Sequence, residues 1–237
     1  MVEPLSLRFY LDLVDETDLG AIDQLLTAAQ THTGPVTPLG AVGVGVAERI
    51  AEILVPCGVE VKVLTETPQV QGTELTEKPT AVATYLALHP GVESAKVRDL
   101  FWPGDQSRAP DNGITRLRKA LGETPAGHKR FPKATKVTLV DVGSDWERFG
   151  CLVEAANRTQ DPGDVAAYLD AALDLIESVP ARRANPVLYS WFIDDRHWYE
   201  TLDTAVVDAA TRRATIALEA GDPIAARHAV RRGQRAA

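Results

Sequence analysis

Eight cationic side chains fall within residues 108–136, a stretch that contains only two acidic residues, Asp111 and Glu123. The segment therefore has a local charge of +6, whereas the whole chain of 237 residues carries −8 at pH 7. A cationic cluster in an acidic chain is typical of a surface that binds anions such as phosphate. Its members are Arg108, Arg116, Arg118, Lys119, Lys129, Arg130, Lys133 and Lys136.

Part of this cluster forms one surface if residues 112–121 are helical. Apolar residues recur there at i, i+3 and i+7, which predicts a buried stripe of Ile114, Leu117 and Leu121. The opposite face then carries Asn112, Thr115, Arg116 and Lys119, a mixture that can read base edges and hold phosphates in a major groove. Taken alone, the pattern is more typical of a solvated helix face.

Arg118 lies beside the apolar stripe, from which we expect it to reach sideways to a phosphate. Gly113 is expected to weaken the first turn of the helix.

The flanking elements favour a DNA-binding role. Val59, Val61 and Val63 alternate with charged residues, which predicts a half-buried strand. Five elements are predicted after it, in this order: a second strand or turn at 70–72, a helix opened by Pro79, a short helix capped by Ser94, the cationic helix ended by Gly122, and a strand at 136–140. This order predicts a winged helix-turn-helix whose third helix lies in the major groove. The loop that contains Lys129, Arg130 and Lys133 would form its wing.

Several runs in this region resemble a known family. The segments ATYLALHPG (83–91), VRDLFWPG (97–104) and ITRLRKALG (114–122) are similar to the OmpR-type winged helix of actinobacterial pathway regulators, and VDVGSDWERF (140–149) resembles its junction with a bacterial transcriptional activator domain. The resemblance covers roughly residues 59–237. It implies a DNA-binding domain followed by a helical-repeat domain, with DNA contacts on the third helix and the wing.

Residues 144–237 have the pattern of paired helices. Ser144 and Glu147 predict a capping box, and Asp161-Pro162 and Asp222-Pro223 open two helices in the same way. Between them, a long helix is predicted from near Asp194 to Gly221. This weak repeat predicts helical hairpins similar to tetratricopeptide repeats, which bind proteins.

We therefore predict an α+β winged-helix domain at 59–143 and a mostly α helical-hairpin domain at 144–237. The net charge is −6 for residues 1–58, +2 for residues 59–143 and −4 for residues 144–237. Only residues 59–143 are therefore suited to bind a polyanion. Residues 1–58 are uncertain and are compatible with the tail of a larger upstream region. A helix is expected within Leu11–Ala29 and another within Ala47–Leu54.

No residues form a convincing catalytic or cofactor site. The glycines at 40, 43 and 45 lack the third glycine of a dinucleotide fingerprint, and no phosphate-binding P-loop motif occurs in the sequence. Asp194, Asp195 and His197 form the one local acid–base cluster, but acidic residues are also favoured electrostatically where a helix begins. Cys57 and Cys151 lack metal-ligand spacing and are expected to be buried, reduced thiols. We expect no enzyme activity, no metal and no cofactor.

The sequence as a whole predicts a cytoplasmic transcription regulator. Neither a signal peptide nor a membrane-spanning stretch is expected, nor is any direct membrane contact. Its partners would be duplex DNA and, through the helical domain, another protein or a second copy of itself. The alternative is a scaffold or sensory tail of a larger, membrane-anchored protein in which DNA binding has been lost.

Overall fold

The computed structural model describes residues 44–105, 107–193 and 196–235. It is a mixed α/β structure that is mostly helical, with a small three-stranded sheet and a separate strand pair. The strands are β1 (Val59–Lys62), β2 (Gln69–Gln71), β3 (Val92–Glu93), β4 (Lys136–Val137) and β5 (Val142–Ser144). The helices are α1 (Val44–Leu54), α2 (Glu77–Leu88), α3 (Ser94–Phe101), α4 (Ala109–Leu121), α5 (Asp145–Arg158), α6 (Pro162–Asp174), α7 (Ser190–Ile193), α8 (Arg196–Glu219) and α9 (Pro223–Gly233).

The described chain separates into two compact units. Among the described residues, the α/β unit comprises 54–105, 107–148 and 178–193, and the helical unit contains 44–53, 149–177 and 196–235. Along the chain, a segment of the first of these units ends at Arg148 and Phe149 begins a segment of the second. The helix predicted at Leu11–Ala29, the glycines at 40 and 43, and Asp194 and Asp195 lie outside the described residues.

Strand β1 lies at the centre of the sheet. It pairs antiparallel with β2, with Val61 opposite Val70, and parallel with β5, with Val61 opposite Ser144. The valines at 59, 61 and 63 are buried, as the alternation predicted. However, Glu60 is also buried, because Arg148 donates to its carboxylate at 2.8 Å. Strand β1 therefore lacks the solvated face that its charged residues indicated.

Asp145 joins the end of the sheet to the start of α5. Its buried carboxylate accepts hydrogen bonds from the backbone N–H groups of Val63 at 2.7 Å, Leu64 at 3.1 Å and Trp146 at 2.9 Å. Burial raises the pKa of this carboxyl to about 6, although the three donors oppose the shift. Glu147 N–H donates to Ser144 Oγ at 3.1 Å, which supplies one half of the predicted capping box.

Residues 178–183 lie along the segment that follows β1. The N–H groups of Ala181 and Arg183 donate to the carbonyls of Thr65 and Glu66 at 2.9 and 2.8 Å. Trp191 packs edge-on against Tyr85 of α2, with ring centroids 5.0 Å apart. Trp191 is therefore a core residue, as its sequence context indicated.

In the helical unit, α8 packs against α6 and α9. The predicted inner stripe of α6, which includes Val165 and Leu169, is buried. Both predicted helix starts are confirmed: Asp161 accepts from Asp164 N–H at 3.0 Å, and Asp222 accepts from Ala225 N–H at 3.0 Å.

Several local predictions need correction. Cys57 and Cys151 are exposed rather than buried. Ser94 is the first residue of α3 rather than its cap, and Glu93 in the cap position makes no side-chain cap hydrogen bond. The strand predicted at 136–140 ends at Val137, and Val140 N–H instead donates to the carbonyl of Arg130. Among the described residues, no helix combines the length and apolar character needed to cross a membrane.

We predict that Asp145 gives folding a distinctive pH dependence. Because the folded-state pKa is raised from 3.8 to about 6, the folded chain binds this proton more tightly than the unfolded chain. The contribution of Asp145 to the free energy of unfolding should rise as the pH falls from about 6 to below 4, by at most roughly 3 kcal/mol. Asp145→Asn should lack this rise. Urea unfolding of both proteins between pH 7 and pH 4 measures it, and parallel profiles would contradict the prediction.

Candidate nucleic-acid interface

The cationic helix α4 forms much as its apolar spacing predicted. It begins at Ala109, three residues before the predicted start, and buries Pro110, Leu117 and Leu121. Ile114, which the spacing also predicted to be buried, is only half-buried. Its end is set by Gly122, whose φ of 66° lies in the left-handed region that glycine adopts without strain. Gly122 N–H donates to the carbonyl of Arg118 at 3.2 Å, which closes the last turn.

The opposite face of α4 is exposed. Asn112, Thr115, Arg116 and Lys119 all project from it. Within the described ranges, neither Arg116 nor Lys119 forms an ion pair. Two cations, an amide and a hydroxyl thus remain available on one side of one helix, and side chains of these types can hydrogen-bond to base edges.

Arg118 is held inside the α/β unit. Its Nε donates to the carbonyl of Phe131 at 2.9 Å, and its guanidinium carbon lies 4.7 Å from the centre of the Phe131 ring. A guanidinium over an aromatic face is a favourable cation–π arrangement. Arg118 therefore fastens α4 to the segment after it, rather than reaching sideways as the sequence predicted.

Arg130 is the most completely hydrogen-bonded cation of the cluster. Its Nε and Nη2 donate to one oxygen of Asp141 at 3.0 and 2.7 Å, and its Nη1 donates to the carbonyls of Leu121 and Glu123 at 3.2 and 2.7 Å. The hydrogen bonds from Arg130, followed by one from Gly58 N–H, hold the pKa of Asp141 below its ordinary value. Arg130 is thus a structural residue, and no local sequence pattern indicated that Asp141 is its partner.

The remaining cations of the segment after α4 are exposed. Lys129 pairs with Glu123, which lies opposite it in an isolated antiparallel bridge, and this pairing lowers the pKa of Glu123. Lys136 lies opposite Glu93 in the β3–β4 pair, and Lys133 precedes that pair. Outside the masked positions, Arg108, Lys133 and Lys136 form no ion pair.

The ten residues predicted to contact DNA therefore divide into two groups. Arg118 and Arg130 are anchored internally, and Lys129 is exposed but paired. The other seven are exposed: Arg108, Asn112, Thr115, Arg116, Lys119, Lys133 and Lys136. Five of these seven are cations, and all belong to the α/β unit.

Sequence reasoning missed a groove beside the exposed face of α4. Its volume is about 390 Å³, and Lys78 and Trp102 line it together with Arg116. The signals that could have indicated it are a cation directly before Pro79 and an aromatic residue at the end of α3.

No metal centre is evident in the part of the chain that the structure describes. No group of three or more His, Cys, Asp or Glu side chains there is placed to hold a metal ion. Comparisons of the chain with protein-family models, with curated proteins and with solved structures gave no match.

Arg130→Lys should destabilise the α/β unit, because one ammonium cannot reach all the acceptors that the guanidinium satisfies. Leaving the carbonyls of Leu121 and Glu123 without a donor should cost on the order of 1–3 kcal/mol. The measurement is urea unfolding at pH 7. Lys129→Gln is the matched control, and it should leave stability nearly unchanged because its pair with Glu123 is exposed. Equal effects of the two substitutions would show that Arg130 has no anchoring role.

Proposed function

We propose that this protein is a DNA-binding transcription regulator whose α/β unit acts as a winged helix-turn-helix. The observation that carries the proposal is the exposed face of α4. There Arg116 and Lys119 stand beside Asn112 and Thr115 above a buried apolar stripe, and no carboxylate neutralises either cation within the described ranges. In this assignment α3 is the first helix of the motif and α4 is the helix that enters the major groove.

The wing in this proposal is the segment from Glu123 to Val137. Two pairings shape it, the bridge between Glu123 and Lys129 and the ladder between β3 and β4. Lys133 and Lys136 are its exposed cations and would contact the phosphate backbone. Arg118 and Arg130 fix this segment to the end of α4 from within. A helix and a wing that are fastened together can meet one duplex in a fixed register.

The charge distribution supports a local rather than a general attraction to DNA. The chain carries −8, so the protein as a whole repels a polyanion. Arg108, Arg116, Lys119, Lys133 and Lys136 are the exposed, unpaired cations within residues 108–136. If all of them reach phosphates or bases, the dependence of log K on log salt has a slope of at most about −4 to −5.

We assign the helical unit a role in binding a protein partner or a second copy of the chain. The proposal is supported by the side-chain caps at Asp161 and Asp222 and by the packing of α8 against both α6 and α9. Arrays similar to tetratricopeptide repeats commonly bind proteins through one face. Duplex DNA and a protein are therefore the two partners that we propose.

One observation favours the alternative, a scaffold in which DNA binding has been lost. Arg118 and Arg130 were expected at the DNA, but both are engaged inside the unit. A surface that retains only part of its cations binds DNA less tightly. Direct titration separates the two functions.

The first functional prediction concerns salt dependence. The full chain should bind a fluorescein-labelled duplex of random sequence at low salt, and its affinity should fall as salt is raised. Replacing Lys133 and Lys136 with Ala should reduce the magnitude of the slope of log K against log salt by about 1.8, because two fewer counterions are released. Fluorescence anisotropy between 25 and 200 mM NaCl measures this slope.

A matched control removes the same charge from other surfaces. Arg182 and Arg231 are exposed, and the double substitution of both with Ala should leave the slope unchanged. If the folded wild-type protein does not bind at low salt, the scaffold function is favoured. If both double variants change the slope equally, binding depends on overall charge rather than on the wing.

The second functional prediction separates base recognition from phosphate contact. A guanidinium can donate to two acceptors of guanine at once, which contributes about 1–3 kcal/mol of discrimination against the wrong base. Arg116→Ala should therefore relax preference at particular positions of the site, whereas Lys136→Ala should weaken binding to all sequences alike. Selection from a random duplex library with the wild type and both variants provides the test. An unchanged preference in Arg116→Ala would exclude base recognition by this residue.

A further inference from the structure

A groove of about 390 Å³ lies between the start of α2 and the exposed face of α4. Pro79, Val82 and Leu117 give it an apolar floor, and Trp102 forms a wall. The volume falls within the range of small-molecule sites, which combine apolar walls with a few convergent polar groups. The whole groove belongs to the α/β unit.

The wall depends on a glycine in the middle of a helix. A Cβ at position 113 would lie 2.5 Å from Trp102 Cζ2, and the two neighbouring ring carbons would be 3.3 and 3.4 Å away. These distances place an edge of the indole against the backbone of α4. Gly113 thus lets Trp102 approach the helix closely. This close approach explains why a glycine, which by itself weakens a helix, occupies position 113.

Lys78 is held in place at the groove. Its ammonium donates to the carbonyl of Phe101 at 2.9 Å and lies 5.0 Å from the centre of the Trp102 ring. An ammonium fixed by a carbonyl and an aromatic face loses little further freedom when it meets an anion. Lys78 also attracts the carboxylate of Asp105 electrostatically, but the main partner of that carboxylate is Ser107, whose N–H donates to it at 2.8 Å.

Arg116 and Asn112 line the groove from α4. Arg116 is exposed, and the described carboxylates form no ion pair with it. No acidic residue is found among the described residues that line the groove. The groove is therefore lined by two cations, an amide and an apolar floor, with no carboxylate among its lining residues.

We infer that this groove binds a small organic anion with an apolar body, whose carboxylate meets Lys78 and Arg116 while its body packs on Val82, Leu117 and Trp102. A charge-assisted hydrogen bond to each cation would orient the acid group. Burial of the apolar body would supply the rest of the affinity.

The site has a consequence for DNA that rests on the proposed function. Arg116 and Asn112 lie both in the groove and on the face assigned to the duplex. An anion that engages Arg116 withdraws it from guanine or phosphate. The ligand would therefore act as an effector that weakens DNA binding, and the effect is reciprocal because the two ligands share a residue.

Naphthoate, a flat aromatic carboxylate, is the first probe, and naphthamide is its neutral control of the same shape. Isothermal titration of the full chain without DNA should give a dissociation constant of roughly 0.1–1 mM for naphthoate, and binding of the amide should be at least about tenfold weaker.

Arg116→Gln should weaken the binding of naphthoate by about tenfold. Lys119→Gln, on the same helix but outside the groove, should not change it. The indole N–H resonance of Trp102, assigned with Trp102→Phe, should shift during the titration.

Three results would each overturn the site: no binding of naphthoate, equal binding of acid and amide, or an Arg116→Gln variant that binds like the wild type. If the site holds but saturating naphthoate leaves duplex affinity unchanged, the effector role is wrong. Absence of duplex binding without any ligand would refute the proposed function alone, since the titration without DNA still decides the groove.

Discussion

The arrangement of the cationic surface depends on the guanidinium of Arg130. It donates four hydrogen bonds, two to Asp141 and one each to the carbonyls of Leu121 and Glu123. The backbone N–H of Arg130 also donates to the carbonyl of Gly122, and its carbonyl accepts from Val140 N–H. One side chain thus ties the end of α4 to the residues that lead into β5. Gly58 lies so close that a Cβ added there would overlap Arg130 Nη2. Asp141 adopts a φ of 54° and accepts from Gly58 N–H at 3.1 Å. The planar fork of arginine can satisfy this many acceptors at once, which lysine cannot.

The cationic cluster therefore contains two kinds of residue, cations that stabilise the fold and cations that remain exposed and unpaired. Arg118 and Arg130 are held by carbonyls, a carboxylate and an aromatic ring, and they stabilise the geometry of the surface. Arg116 and Lys119 have no such partners among the described residues and stay available for a ligand. A surface that binds an anion needs both kinds, because its free cations repel one another and a rigid backbone must hold them close together. The groove beside α4 adds a third use, since Arg116 borders both the groove and the exposed face.

A second set of buried charges organises the other end of the sheet. Glu60 on β1 pairs with Arg148 at 2.8 Å, and Asp145 accepts from the two N–H groups that follow the strand. These groups are buried, so their mutual attraction is screened less than that of a surface pair and each depends on its partners. The start of α5 is thereby fixed to β1 by polar contacts, while α2 covers the sheet with apolar ones.

Local patterns in the sequence determined much of the secondary structure and one face of the candidate site. The caps at Asp161 and Asp222, the glycine stop at 122 and the apolar stripe of α4 were predictable, because each depends on residues only a few positions apart. The exposure of Asn112, Thr115, Arg116 and Lys119 followed from the same periodicity.

Only the tertiary structure decided which cations are free and which neighbours they have. Arg118 is engaged by Phe131, Arg130 by Asp141 and Glu60 by Arg148, over separations of 13, 11 and 88 residues that no local pattern encodes. Cys57 and Cys151 are exposed for the same reason, because burial depends on what packs against a residue and not on its type. Gly113 shows the difference most clearly. In the sequence it is a weak point of a helix, and in the structure it is the space that admits the edge of Trp102.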